Sequence, residues 1–178
     1  MGRPEPADVL AAAGGDVAAF ERLVHAVQGP IWRYLVHLLG DRGLAEDVAQ
    51  EVLLRVHTKL RTLRDPDRFL PWVLVMCRNA AYDAARATRR RQVPFLEDVD
   101  LTKVKNPADP HVSLEIADAL GRLDRDLREA LVIVGILGLS YGEAAKVLRV
   151  PEGTVKSRVF RARRLLIDAL GNGVDDAR

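Results

Sequence analysis

The stretch LSYGEAAKVLRVPEGTVKSRVFRARRLL, Leu139 to Leu166, decides how this chain is read. Ser140 and Glu143 stand at the spacing where a hydroxyl and a carboxylate cap a helix start reciprocally. A helix is therefore expected from Tyr141 to about Leu148. Arg149, Val150 and Pro151 form the turn after it, with Arg149 at a position where glycine is easier. Val155, Val159, Ala162 and Leu166 then recur at helical spacing and give a second helix one apolar side. Two helices joined by about three residues make a helix-turn-helix unit. Lys156, Ser157, Phe160, Arg161 and Arg164 fall on the outer side of the second helix. There the cations are presented to a polyanion, while the apolar stripe anchors the helix to its domain. In a major groove lysine and arginine pair with guanine edges or phosphates, and Ser157 suits either. Phe160, odd in water, suits a thymine methyl or a sugar edge. Thr154 and Arg158 complete the candidate set, and Gly153 with the free N–H groups of the first turn is able to approach a phosphate. The plain alternative is a basic amphipathic helix that is merely soluble.

The rest of the composition fits a helical, non-secreted protein. The chain has 178 residues, of which 48% are apolar and only 5% aromatic. That is enough for a core in one ordinary domain or two small ones, built mainly from good helix formers. The net charge is +2, so any nucleic-acid site depends on where the charge sits. The single cysteine, Cys77, excludes an intrachain disulfide and a multi-cysteine zinc site. No run is apolar enough to cross a membrane, and the start does not read as a signal peptide. The expected compartment is the cytoplasm.

Upstream of the motif, residues 1–15 are rich in Ala, Gly and Pro and are expected to be loose or weakly helical. Asp16 can cap a helix carrying Phe20, Leu23, Val24 and Val27, which Gly29 and Pro30 should kink or break before it resumes at Ile31. A second helix over about Leu44–Leu63 has Val48, Val52, Val56 and Leu60 inside and Glu46, Asp47, Gln50 and Glu51 outside. A turn at Asp65-Pro66-Asp67 leads to a third, with Phe69, Trp72, Val73, Met76 and Ala80 inward and arginines at its end. These residues, 16–92, make a first domain. Residues 93–112 are acidic, broken at Asn106-Pro107 and Asp109-Pro110, and read as a flexible linker or a solvated loop. Residues 113–171 make the helix-turn-helix domain, and 172–178 a tail. The fold expected is all-α, two small helical domains joined by the acidic linker.

SYGEAAKVLRVPEGTVKSRVFRARRLL resembles region four of bacterial sigma factors. AEDVAQEVLLRVHTKL and FLPWVLVMCRNAAYDAARATRRR resemble their region two, in the right order. The short acidic segment between them points to the extracytoplasmic-function (ECF) subclass. The resemblance implies a promoter-recognition subunit that binds core RNA polymerase, reads the minus-35 and minus-10 elements and supports promoter opening. It implies polymerase contacts at Asp47, Gln50, Glu51 and Arg55 on the β′ clamp helices, with a further contact to the β flap. It assigns downstream-element contacts to Arg61, Arg64, Arg68, Asn79, Arg86, Arg89 and Arg90, with the loop from Arg61 to Phe69 capturing an unstacked base. Upstream contacts are Thr154, Lys156, Ser157, Arg158, Phe160, Arg161 and Arg164. An anti-sigma factor is the expected inhibitor.

Two rival readings fit the sequence less well. A stand-alone regulator leaves the first domain unexplained. An enzyme lacks a site: His25, His37, His57 and His111 are scattered, His37 and His57 read as surface or rim residues, and no catalytic set, cofactor motif or metal-ligand spacing appears. Glu46, Asp47 and Glu51 are a poor metal set without His or Cys beside them.

Overall fold

The computed structural model describes residues 4–91 and 114–171, and among these every regular element is helical. The acidic linker lies outside the described residues.

The N-terminal stretch takes the helical of its two expected forms. Pro6–Ala13 forms a helix, α1, with Pro6 at its start and Val9 only 2% exposed. Proline suits that position because its missing N–H would have no helical partner there. Arg22 ties α1 to the next helix, donating to Asp8 at 2.6 Å. That helix, α2, runs Val17–Leu39, starts on the Asp16 carboxylate, which accepts from the Ala19 N–H, and ends at Gly40 in the left-handed region (φ 68°). Gly29 and Pro30 do not break it. Pro30 forfeits one backbone hydrogen bond, but it and Val27, Ile31, Tyr34 and Leu35 are buried. Burial on that scale outweighs a proline cost of about 3 kcal/mol.

Asp41 caps α3, Arg42–Lys59, whose inner side is Ala45, Val48, Val52 and Val56. Two 3₁₀ turns follow, Leu60–Thr62 and Pro66–Arg68. They lead into α4, Phe69–Arg91. Phe69, Val73 and Ala80 are buried as expected, yet Leu70, Leu74, Cys77 and Ala81 are buried too. So α4 has more than one covered side, because α2, α3 and α7 all pack on it.

In the second domain α5 spans Leu114–Gly121 and α6 spans Arg125–Leu131, continued by a π-helical turn, Val132–Ile136. The motif helices are α7, Tyr141–Leu148, and α8, Glu152–Gly171. Both halves of the capping box form: Glu143 N–H donates to Ser140 Oγ, and Ser140 N–H donates to Glu143 Oε2 at 2.8 Å. Arg149 takes the left-handed conformation at φ 57°, the one described non-glycine residue to do so. Val155, Val159 and Ala162 are at most 1% exposed, which anchors α8 against α5, α6 and α7.

The two domains share one continuous buried core, which the sequence pattern does not reveal. Every residue of α6 from Leu127 to Leu131 is buried, Arg128 and Glu129 included.

Candidate nucleic-acid and partner interfaces

The outer side of α8 is as solvent-facing as its inner side is dry. Lys156, Ser157, Phe160, Arg161 and Arg164 are exposed, and Phe160 is 66% exposed despite its ring. Ser157 folds back, its hydroxyl donating to the Thr154 carbonyl at 2.9 Å. Lys156 pairs with Glu152 at 2.8 Å and lies near the Tyr141 ring, and the Glu152 hydrogen bond raises its pKa. Two members of the expected set sit elsewhere. Thr154 is half-buried in the first turn. Arg158 turns toward α6 and is ion-paired and hydrogen-bonded to Asp126 there. Its helical position, at the edge of the buried stripe beside Ala162, brings it to the seam between the two helices rather than to the open face.

In the first domain the polar side expected on α3 faces solvent. Asp47, Gln50 and Glu51 are exposed on α3, and Arg55 donates to Glu51 at 2.5 Å. The reading of the sequence missed Leu54, which continues the same strip and is 70% exposed. Its signal was available: it breaks the periodicity of Val48, Val52 and Val56. Beside the strip, Ile31, Trp32, Ala49 and Leu53 line a shallow apolar groove between α2 and α3, about 400 Å³, rimmed by Glu46 and Gln50.

The downstream set is more scattered in role. Arg64, Asn79 and Arg86 are exposed. Arg68 pairs with Asp65 at 2.8 Å. Arg61 donates from Nε to the Ala13 carbonyl at 3.2 Å, so its stem is tied to α1. The side chains of Arg89 and Arg90 lie outside the described ones. Trp72 is half-buried beside the Phe69 ring, in keeping with its inward spacing. Tyr82 faces the second domain: the guanidinium of Arg125 lies 4.0 Å over its ring and that of Arg78 4.7 Å.

A polar cluster between the domains was not expected. The Glu129 carboxylate, 1% exposed, accepts from the Tyr34 hydroxyl at 2.6 Å and from Arg78 Nε at 2.9 Å. Burial, and then the Glu129 charge, push the Tyr34 pKa well above its ordinary value. Nearby, Arg128 donates to the Gly121 and Leu123 carbonyls at 2.8 and 2.9 Å, and burial lowers its pKa. His37 is 4% exposed, against its expected place at the surface, whereas His57 is exposed with its ring edge-on to Phe20. No described helix is long and apolar enough to cross a membrane.

Comparison with known proteins agrees with this architecture. Residues 23–91 match the model of sigma-70 region 2, and 113–166 that of sigma-70 region 4. The chain is 34% identical to the ECF RNA polymerase sigma factor SigC of Mycobacterium tuberculosis, covering 90% of this chain and 88% of SigC. It is also 34% identical to SigL of the same organism, over 93% of this chain and 98% of SigL. Its structure resembles the sigma factor RpoE solved with the anti-sigma factor NepR from Bartonella quintana, at TM-score 0.71 and 27% identity, covering 87% of this chain and 98% of RpoE. The chain belongs to the ECF sigma factors, the non-enzymatic promoter-recognition subunits of bacterial RNA polymerase.

Proposed function

We propose that this chain joins core RNA polymerase through the α3 strip and reads the upstream promoter element with the outer side of α8. Asp47, Gln50, Glu51 and Leu54 form the strip, with Arg55 at its edge, and they meet the β′ clamp helices. The second domain meets the β flap. Lys156, Ser157, Phe160, Arg161 and Arg164 enter the major groove; Thr154 and Arg158 support that helix from within. The loop with Arg61 and Arg64, and Asn79 and Arg86 on α4, contact the downstream element, joined by Arg68, Arg89 and Arg90 along the backbone phosphates. These partners place the protein in the cytoplasm. The sigma factor RpoE was solved with the anti-sigma factor NepR, which supports an anti-sigma factor as a third partner of this chain.

The observation that carries the reading is the two-sidedness of α8. Arg161, Arg164, Ser157 and Phe160 stand together in solvent on one side, while Val155, Val159 and Ala162 on the opposite side are at most 1% exposed. Transcription in vitro with purified core polymerase on a promoter library tests it. Defined start sites downstream of one shared pair of elements are expected. Failure to direct core polymerase to any template overturns it.

A further inference from the structure

The cations of α8 are not held alike. Arg158 is ion-paired with Asp126 on α6. Arg161 and Arg164 are exposed and, among the described residues, have no ion pair. Lys156 is exposed too, yet its ammonium is tethered: Nζ lies 2.8 Å from Glu152 Oε1 and 5.8 Å from the centre of the Tyr141 ring. The other carboxylate oxygen, Glu152 Oε2, reaches back over α7, where a Cβ placed on Gly142 would stand 3.5 Å from it. Glu152 therefore bridges the first turns of both motif helices. A carboxylate is favoured in such a place, because the free N–H groups of a first turn carry partial positive charge.

The tether decides what Lys156 can touch. An ammonium has three donors. Glu152 takes one and leaves two, the number that guanine N7 and O6 accept. A phosphate brought to the same ammonium would stand close to the Glu152 carboxylate, and like charges repel. A guanine edge carries no net charge and meets no such repulsion. An exposed ion pair at this spacing adds little to stability. Its consequence lies instead in the charge that the start of α8 presents.

We propose that Glu152 is a specificity-determining residue of the upstream reader: it holds Lys156 toward a base edge and away from the phosphates, so that this cation selects sequence rather than adding general attraction. This rests on the reading of the outer side of α8 as the contact to the upstream element. Glu152 and Tyr141 are positioning residues, and Lys156 is the residue that meets the base.

The test uses the full chain bound to core polymerase. Duplexes carrying each base at each position of the upstream element, and an unrelated duplex, are titrated at several salt concentrations. The wild-type complex should prefer guanine at one position. Glu152→Ala should lower that preference roughly tenfold, the size of one base contact, while binding the unrelated duplex more tightly. Its salt dependence should steepen by about one unit of log–log slope, the mark of one added phosphate contact. Glu152→Gln, which keeps the length without the charge, should behave in the same way. Lys156→Ala should lose the same preference with a shallower slope, and adding Glu152→Ala to it should change the preference no further. If Glu152→Ala keeps the wild-type preference, or weakens binding to every duplex alike with its slope unchanged, the proposal is overturned while the α8 reading stands. If the wild-type complex shows no base preference in the upstream element, the α8 reading falls and the proposal with it.

Discussion

Helices α6 and α8 look alike as sequence and end in opposite environments. Each has an apolar stripe at helical spacing and charged residues beside it. On α8 those charges stay in water with Phe160 among them; on α6, Arg128 and Glu129 are buried. What separates them is the surface opposite. Tyr34 and Arg78 from the first domain meet Glu129, whereas Phe160, Arg161 and Arg164 on the outer side of α8 are exposed. A charged residue beside an apolar stripe therefore has two fates, and the tertiary partner chooses.

The largest effect should come from breaking the α6 side. Glu129→Ala leaves Arg78 and the Tyr34 hydroxyl without their buried acceptor, and denaturant unfolding should show a loss of about 3 kcal/mol. Titration reads the same contact. With the Tyr34 pKa raised in the folded state, its share of the stability is full below pH about 10 and is lost as pH rises beyond that. Thermal melts should be level up to that point and then fall, less steeply in Tyr34→Phe.

On the α8 side the effect should appear in binding and not in folding. Arg161→Ala should weaken upstream-duplex binding by the holoenzyme by roughly 1–3 kcal/mol, with the unfolding midpoint unchanged. Arg158→Ala sharpens the comparison: its pairing with Asp126 predicts a change in stability of less than about 1 kcal/mol and a smaller loss in DNA binding than Arg161→Ala. Ser140→Ala removes one half of the capping box and should cost about 1 kcal/mol of stability in chemical denaturation. The smallest effect has the opposite sign. Arg149→Gly relieves a left-handed arginine and should stabilise by somewhat under about 1 kcal/mol, a shift read in the same denaturation curve.

Much of this was legible in the chain. The capping box, the strained turn at Arg149 and the inner stripe of α8 follow from local chemistry, since caps, turns and periodicity involve residues a few positions apart. The strip of Asp47, Gln50 and Glu51 was legible for the same reason. The cluster of Tyr34, Arg78 and Glu129 was not: its members are up to 95 positions apart, and nothing near Glu129 marks it for burial. Arg158 was misplaced because a residue at the edge of a helical face goes to whichever side offers a carboxylate, here Asp126. The sequence leaves residues 1–15 between loose and weakly helical because the short apolar side of Pro6–Ala13, Val9 with small alanines, is a weak pattern without the elements it packs on. Pro30 reads from sequence as a kink or a break because local rules weigh its lost hydrogen bond and not the core around it.

The central claim is a division of labour: α3 holds the polymerase and α8 holds the DNA. The direct measurement pairs core-polymerase capture with upstream-duplex binding at saturating polymerase, for Asp47→Ala, Glu51→Ala and Arg161→Ala side by side. The account predicts that the two α3 variants lose capture and keep duplex binding once saturated, while Arg161→Ala keeps capture and loses the duplex. Equal losses in both assays for all three variants would contradict it.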